Sequence, residues 1–197
     1  IIAAWPVRTS VVVQDGKVYV TAGMFPADGV HLVALEAGTG TEVWRQVQND
    51  LPAQGYLLAS RSRLYVPAGR NNPAVCDIAT GKRVRVVEGA GGTYALLTDD
   101  LLVFGPGKTG QLGAVEDGSS DQLASFQGNH MIVTGNRSYL HSDSEISALD
   151  RGRYLQLARE RKSISRQQGE LAKKAKSLAS KAGTEADREA MKKQLVD

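Results

Sequence analysis

The chain contains 197 residues, of which 42% are apolar, 6% are aromatic and 21 are glycine, a composition typical of a globular protein built from short strands and many turns. No apolar run approaches the roughly 18–20 residues that a membrane-spanning helix requires, and the single cysteine, Cys76, excludes an internal disulfide and a thiolate metal cluster. Residues 1–150 carry 11 basic and 15 acidic side chains and residues 151–197 carry 13 and 6, so the net charge of +3 hides a boundary near Asp150.

The first recurring feature is a turn followed by a short apolar strand. Its best copies run from Asp15 to Val20 and from Ser62 to Val66, and weaker copies follow at 99–104 and 136–140. The equivalent strand positions are predicted to be Tyr19, Tyr65, Leu102 and Tyr139, at intervals of 46, 37 and 37 residues. Such spacing predicts an array of similar structural units.

A second motif lies further along each repeat and contains an acidic residue. Its first copy reads Ala-Leu-Glu-Ala-Gly-Thr-Gly-Thr-Glu-Val-Trp over residues 34–44, and a second copy covers residues 75–85. The copies at 114–124 and 148–150 keep little beyond their first residues. The acidic positions are Glu36, Asp77, Glu116 and Asp150. Because two separate motifs keep the same period of about 40 residues, chance does not explain the repeat.

Each repeat has the local signals of antiparallel strands. Short β-branched or apolar segments alternate with turns, of which Asp15-Gly16 is a strong hairpin signal. The Thr39-Gly40 and Thr80-Gly81 pairs supply the next turn, where glycine permits a positive φ. One small sheet cannot bury both of its faces, whereas radially stacked sheets can. The sequence therefore predicts blades of a β-propeller over residues 1–150.

The pattern Ala-x-acid-x-x-Thr-Gly-x-x-x-Trp resembles the repeat of the PQQ-binding-like, or quinoprotein-type, β-propellers. The resemblance covers roughly residues 8–150 and implies a mainly β fold with about four antiparallel blades, the last of them incomplete. In that family the tryptophan packs between adjacent blades, and the acid and the Thr-Gly pair brace a turn. The resemblance therefore implies structural roles for the following repeat residues: Glu36, Thr39, Gly40, Trp44, Asp77, Thr80, Gly81, Glu116 and Asp150.

The resemblance implies two alternative functions. Many relatives carry no cofactor and serve as protein-interaction scaffolds, and this is the function we expect for the segment, in a periplasmic or other extracytoplasmic location. Other relatives are dehydrogenases that bind PQQ and calcium over the propeller axis, so the alternative is a quinoprotein dehydrogenase whose cofactor ligands lie outside this segment. We expect a protein partner, or the remaining blades of the same propeller, and no nucleic acid. About three and a half blades are present, and we expect the chain to be a fragment of a larger propeller, although association of copies or an unusual fourth blade are alternatives.

No catalytic or metal-binding group is predicted from the sequence. The segment Phe104–Gly110 ends like a phosphate-binding loop, but the required first glycine is replaced by Leu102 and a strand follows instead of a helix. His31, His130 and His141 lack ligand spacing. We therefore interpret the Phe104–Gly110 segment as a loop between two strands.

Strand signals end after Asp150, and residues 151–197 are predicted to form a basic helical segment, either a hairpin or a coiled-coil-like element. Apolar residues follow a heptad-like spacing on one seam, and Gly183 is predicted to end the first helix before a second one begins at Thr184. The predicted uses of the seam are packing within a helical hairpin or on a neighbouring domain, binding of a coiled-coil partner, or binding of nucleic acid or an anionic surface. Hairpin packing is favoured over the partner site, and the anionic surface is the least favoured because acidic residues interrupt the basic ones.

Overall fold

A computed structural model of the chain describes residues 5–92, 94–98, 101–105, 109–116, 119 and 121–194; at residues 94, 181, 182 and 184–194 it describes the backbone alone. The chain divides into two compact units, Ile1–Arg151 and Gly152–Asp197. The first unit is built from strands, and the second belongs to one helix. No helix in the described part of the chain is long and apolar enough to cross a membrane.

The described residues form fifteen strands and one long helix. The strands are β1 (Val12–Gln14), β2 (Lys17–Ala22), β3 (Val30–Glu36), β4 (Glu42–Gln48), β5 (Leu58–Ala59), β6 (Arg63–Ala68), β7 (Asn71–Asp77), β8 (Arg83–Val86), β9 (Tyr94–Leu97), β10 (Leu101–Gly105), β11 (Gln111–Glu116), β12 (Gln122–Gln127), β13 (His130–Thr134), β14 (Arg137–His141) and β15 (Ile146–Asp150). The helix α1 spans Arg151–Gln194, and a 3₁₀ turn at Pro26–Asp28 connects β2 to β3.

The strands form four antiparallel sheets in which chain neighbours are also sheet neighbours. We call these sheets blades one to four: β1–β4, β5–β8, β9–β12 and β13–β15. The first hairpin closes through Asp15 and Gly16, whose φ angles of 49° and 72° suit the two-residue turns that match strand twist. The prediction of a mainly β fold with an incomplete fourth blade is confirmed, because that sheet has three strands in the described part of the chain.

Strand pairing aligns the four blades residue by residue. The acidic residue that ends each third strand pairs with the residue that begins the second strand, in the pairs Lys17–Glu36, Arg63–Asp77, Leu101–Glu116 and Arg137–Asp150. Two residues further along the second strand lie Tyr19, Tyr65, Val103 and Tyr139. The prediction that Leu102 takes this position is therefore wrong by one residue. The second strand of blade three has no tyrosine to mark the alternation, and a one-residue slip exchanges the two faces of a strand.

Consecutive blades pack face to face around shared apolar cores. The core between blades one and two includes Tyr19, Leu32 and Ala34 from the first sheet and Leu64 and Cys76 from the second. The core between blades two and three consists of Tyr65, Val75, Val87, Ala90, Leu102, Phe104 and Val115, with Leu58 and Leu97 packed against it. The inner strands β1, β5 and β9 contact one another in turn, so these blades radiate from a common axis.

The helix α1 begins directly after Asp150 and continues through Gly183. The predicted helix is confirmed, but the predicted turn at Gly183 and the separate second helix are wrong. A glycine inside a helix costs only about 1 kcal/mol relative to alanine, which the good helix formers around Gly183 can offset. Four apolar side chains recur every seven residues along α1, and all are exposed: Leu157, Ile164, Leu171 and Leu178.

The core position of Cys76 generates a testable prediction. The side chain is fully buried, and this burial raises the pKa of the thiol to about 11. We expect the folded protein to react very slowly with Ellman's reagent at pH 8, because the reactive species is the thiolate. In urea the reaction should be fast and should release one equivalent per chain. A native-state rate equal to the urea rate would contradict the buried position.

The same pKa shift predicts a pH dependence of stability. In the unfolded chain the thiol loses its proton near its ordinary pKa of 9.0, whereas in the folded chain it stays protonated to about 11. Stability should therefore be unaffected below pH 9 and should decrease by about 2–3 kcal/mol as the pH rises to 11. Urea unfolding of the wild type and of Cys76→Ala isolates this contribution. Identical pH profiles for the two proteins would contradict it.

Candidate functional site

The turn after the third strand of blade two is closed by the side chain of Asp77. Its Oδ1 accepts hydrogen bonds from the Thr80 backbone N–H at 3.0 Å and from the Thr80 hydroxyl at 2.9 Å. The Gly81 N–H donates to the Asp77 carbonyl at 2.8 Å, and Gly81 has a φ of 70°. The acid, the threonine and the glycine therefore form one local hydrogen-bonded turn. Arg63 also forms a 3.3 Å ion pair with Asp77 across the two strands.

Blades one and three each keep part of this hydrogen-bond pattern among their described residues. In blade one the Gly40 N–H donates to the Glu36 carbonyl at 2.8 Å, and the Thr39 hydroxyl accepts the Thr41 N–H at 3.2 Å. In blade three Ser119 stands three residues after Glu116, and its hydroxyl accepts the Asp121 N–H at 3.2 Å. Sequence reasoning missed this hydroxyl, although serine at the threonine position of the repeat was the available signal.

Trp44 connects blade one to the turn of blade two. Its indole N–H donates to the Ile78 carbonyl at 3.2 Å, and its ring lies over Gly81, where an added Cβ would stand 2.4 Å from the ring. The neighbouring Gln46 side chain donates to the Thr80 carbonyl at 2.9 Å. On its other side the Trp44 ring lies 5.9 Å from the ring of Tyr19. The most regular residues of the repeat therefore meet at the contact between blades one and two.

A second connection between these blades is electrostatic. Arg83 binds Asp50 through both terminal nitrogens, at 3.0 and 2.8 Å. This hydrogen-bonded guanidinium lowers the pKa of the Asp50 carboxyl. Because both groups are partly exposed, the pair is a minor contribution beside the Trp44 contact.

The tryptophan position is occupied differently in the next two blades. Strand pairing places Trp44 opposite Ala34, Arg85 opposite Val75 and Ala124 opposite Ala114. The two terminal nitrogens of Arg85 are buried and have no hydrogen-bond partner among the described residues. Neither replacement reproduces the indole contact.

Asp150 ends β15 as the other acids end their third strands, and the following Arg151 N–H donates to the Asn136 carbonyl at 2.8 Å. The equivalent bond in blade one joins the Ala37 N–H to the Gly16 carbonyl, also at 2.8 Å. Blade four thus follows the repeat up to residue 151 and departs from it where α1 begins. The Asp150 position supports no turn of the Thr-Gly type.

A groove lies along the inner strands of blades one to three. It has a volume of about 620 Å³ and is lined in part by Val12, Gln14, Ser60, Arg61, Leu97 and Thr98. By strand pairing Gln14, Ser60, Thr98 and Thr134 occupy equivalent positions at the end of each inner strand. Gln14, Ser60 and Thr98 line the groove at the same end of blades one to three, so the groove is the candidate ligand site.

The described lining of the groove does not fit a calcium-bound quinone. Calcium takes 6–8 oxygen ligands and usually includes carboxylates, whereas the described lining offers no carboxylate. The Ser60 hydroxyl already accepts the Arg63 N–H, and the Thr98 hydroxyl accepts the Leu101 N–H and an Arg151 N–H. Among the described residues of the whole chain, no three metal-ligating side chains come together. Arg61 is the one cation among the described lining residues and would favour an anionic ligand.

The structure brings together two histidines that the sequence analysis treated separately. His130 and His141 are opposite each other in the β13–β14 hairpin, with ring centroids 6.2 Å apart. Both lie equally far from the Gly135–Asn136 turn, and that symmetry was the signal for the pairing. His31 lies in blade one, with its ring 5.5 Å from that of Trp5. Residues 106–108 of the segment that resembles a phosphate-binding loop, and the Asp99-Asp100 pair, lie outside the described residues.

The Trp44–Gly81 contact predicts the effect of adding one methyl group. We expect Gly81→Ala to lower the free energy of unfolding by about 2–4 kcal/mol, because the Cβ meets the indole ring and φ is positive. The matched control is Gly40→Ala, which has the same turn geometry, a φ of 73° and open space around the new Cβ. This control should lose only about 1–2 kcal/mol. The measurement is urea unfolding followed by tryptophan fluorescence.

A double mutant separates ring contact from backbone strain. In a Trp44→Ala background the extra cost of Gly81→Ala over Gly40→Ala should disappear, because the ring that the methyl group meets is gone. Equal costs for the two glycine variants in the wild-type background would show that the ring does not constrain residue 81.

Comparisons with known proteins agree with this geometry. The family model described as outer membrane protein assembly factor BamB matches residues 3–168. BamB from Moraxella catarrhalis superposes with a TM-score of 0.58 and 18% identity over 74% of this chain and 47% of that chain. Two computationally designed proteins are also similar: Ika8, with a TM-score of 0.54 and 14% identity over 73% of this chain and 45% of that chain, and Ika4, with a TM-score of 0.55 and 14% identity over 74% and 91%. No curated protein matches the chain.

The matching region covers blades one to four, and the chain spans less than half of the length of the BamB structure. At these identities the solved structures show the fold, and the family model supplies the assignment. The chain therefore belongs to the PQQ-like repeat family described as outer membrane protein assembly factor BamB, and its strand-rich unit is a set of β-propeller blades.

Proposed function

We propose that this chain is a non-catalytic β-propeller segment that acts as a protein-interaction scaffold outside the cytoplasm. The observation that carries the proposal is the exposed apolar face of blade four. Ile132 is 66% exposed, Tyr139 is 39% exposed and Ile146 is 76% exposed, although the equivalent Tyr19 and Tyr65 are buried between blades. Apolar sheet surface that is buried elsewhere in the same array is typical of a surface that another protein covers.

Further support comes from blade one and from the family. The face of blade one that turns away from blade two exposes Val13 and Val47. The family is described as an outer membrane protein assembly factor, which is consistent with contacts to proteins in an extracytoplasmic compartment. We propose protein as the partner class and propose no nucleic acid, because the basic residues of α1 alternate with acidic ones.

The exposed seam of α1 is a second proposed contact surface. Leu157, Ile164, Leu171 and Leu178 keep heptad spacing, which is the pattern by which one helix packs against another. This spacing favours a coiled-coil partner helix over an anionic surface. The seam lies in the unit Gly152–Asp197 and the blade-four face lies in the unit Ile1–Arg151, so they are two separate proposed surfaces.

The alternative is a quinoprotein dehydrogenase whose cofactor ligands lie outside this segment. The observation that favours it is the axial groove, where Arg61 could contact an anionic cofactor. In that case PQQ would supply the redox chemistry, and the present residues would contribute only Arg61 and the apolar wall of the groove. The described lining offers no calcium ligand set, so we prefer the scaffold.

The two functions are separated by adding PQQ and Ca²⁺ to the purified chain, and to any longer protein that contains it, with alcohols or sugars as substrates. We expect no dye reduction and no saturable quenching of tryptophan fluorescence by PQQ. Cofactor-dependent turnover would contradict the scaffold function. Quenching that is lost in Arg61→Ala would show that the groove binds the cofactor.

Site-specific photo-crosslinking tests the scaffold surface directly. A photoreactive amino acid at position 132 should give a discrete crosslinked product with an envelope protein, whereas the same group at position 84 should not. Val84 is a suitable control because it is also an exposed strand residue, at 52%, but lies on the outer strand of blade two. The captured protein should then bind the purified chain, and Ile132→Asp should weaken that binding about tenfold or more. Equal crosslinking from both positions would contradict the proposal.

A further inference from the structure

The pairing between the third and fourth strands is the same in blades one to three. In each blade the residue two positions before the acid pairs with the tryptophan position, and the pairing register shifts immediately afterwards. The pairs are Ala34–Trp44, Val75–Arg85 and Ala114–Ala124. This constant register means that the third strand alone specifies where a fourth strand must lie.

Blade four presents that third strand without a fourth. The residue two positions before Asp150 is Ala148, and β15 pairs with β14 on one side. In the described part of the chain no strand lies along its other edge. Both Ile146 and Ala148 are exposed. The edge of β15 also lacks the lysine, proline or bulge with which exposed edges usually prevent pairing.

The backbone of β15 is oriented to accept another strand. Hydrogen bonds along a central strand alternate between its two neighbours. Since the Arg151 N–H donates to the Asn136 carbonyl, residues 149 and 147 bond to β14, and Ala148 and Ile146 direct their N–H and C=O groups to the open edge. The same alternation holds in blade one, where the Ala37 N–H donates to Gly16 in the turn before β2 and the Glu36 N–H donates to Thr41 at 2.8 Å.

The side chains indicate which residue should arrive opposite Ala148. In blade one a row across the sheet consists of Val12, Tyr19, Ala34 and Trp44, and the small alanine lets the two rings approach to 5.9 Å. In blade four the same row reads Ile132, Tyr139 and Ala148, and then ends. Blade two keeps only the tyrosine of this row, Tyr65, and blade three keeps only the alanine, Ala114. Neither blade has an aromatic residue at the position of Trp44. An aromatic side chain is therefore expected at the missing position of blade four.

We propose that the outer edge of β15 binds an extended segment of a protein partner, which pairs antiparallel to it and places an aromatic side chain opposite Ala148. This inference rests on the proposed scaffold function and names the partner's chemistry. Main-chain hydrogen bonds to Ala148 and Ile146 supply affinity, and the contact of the aromatic ring with Tyr139 supplies specificity. The strand β4 of this chain has the required pattern, with Trp44 in the required place.

A labelled peptide with the sequence of residues 40–49, Gly-Thr-Glu-Val-Trp-Arg-Gln-Val-Gln-Asn, tests the site on the complete chain. Fluorescence anisotropy should show saturable binding, and replacement of the peptide tryptophan by alanine should weaken it about tenfold. In the protein, Ala148→Pro removes an N–H that points away from β14 and pairs with no strand among the described residues, and this variant should abolish binding. The Val87 N–H donates to the Pro73 carbonyl, so the alternation turns the Val86 N–H outward on the outermost strand of blade two. Val86→Pro therefore makes the matching change there and should leave peptide binding intact.

Changes in the peptide backbone keep the test independent of protein folding. By the alternation of blade one beyond the register shift, the tryptophan N–H points toward the third strand and the N–H of the following arginine points away. A peptide N-methylated at the tryptophan should not bind, whereas one N-methylated at the following arginine should bind as well as the parent. Equal binding of both methylated peptides, or no binding of the parent peptide to the folded chain, would overturn the proposal. A dimer measured by light scattering that Ala148→Pro dissociates would also overturn it, because a second copy would then occupy the edge.

Failure of this inference is distinguishable from failure of the scaffold function. If position 132 crosslinks a specific protein while the peptide does not bind, the scaffold function stands and strand pairing at β15 is wrong. If neither crosslinking nor peptide binding occurs, both the scaffold function and the strand pairing at β15 are wrong. Competition between the captured partner and the peptide, with the partner displaced only by the tryptophan-containing form, is the outcome that supports both.

Discussion

The contact between Trp44 and the Thr80-Gly81 turn is the interaction on which the order of the blades depends. The ring can lie over this turn only because residue 81 has no side chain, and its N–H needs the Ile78 carbonyl that the turn leaves free. Glycine is thus required twice, for its φ of 70° and for the neighbouring ring. The tryptophan of blade one and the glycine of blade two therefore constrain each other across the two blades, in addition to the contacts that each makes within its own blade.

This coupling explains how the repeat changes along the chain. Blade two has Arg85 in place of the tryptophan, and the turn that follows Glu116 in blade three has lost the Thr-Gly pair. Blade three has Ala124 in that place, and in blade four the turn is replaced by the start of α1. Where a blade has no tryptophan at this position, the turn of the following blade has no ring to accommodate and does not need a glycine for that purpose. The buried nitrogens of Arg85, without partners among the described residues, show that the replacement did not create an equivalent polar contact.

The sequence predicted the repeat, the hairpins and the start of the helix because each depends on local chemistry: glycine at positive φ, a period of about 40 residues, and the loss of alternation after Asp150. It did not predict the register of blade three, since a run such as Leu101–Phe104 is apolar on both faces and only pairing decides between Leu102 and Val103. It did not predict the continuity of α1 through Gly183, because a single unfavourable residue is outweighed by its helical neighbours. The His130–His141 pair and the Ser119 turn are local and had signals in the sequence, whereas the axial groove depends on strands of three blades meeting in space.

In blade four, α1 starts at the point where the other blades have a turn that leads into their fourth strand. Helix N-termini favour acidic side chains, but the first turn of α1 has none and begins with Arg151. The position is instead held by strand pairing, through the Arg151 N–H to Asn136, and by the Arg151 side chain, which donates to the Thr98 hydroxyl at 2.9 Å. Arg151 thus completes the sheet on one side and binds the axial end of blade three on the other, at the residue where a turn would otherwise send the chain back as a fourth strand. The residues that follow Arg151 belong to α1 and not to a returning strand, so the described part of the chain supplies no fourth strand to β15. The repeat register preserved up to residue 151 keeps the exposed edge at Ile146 and Ala148 in the geometry that a pairing strand requires.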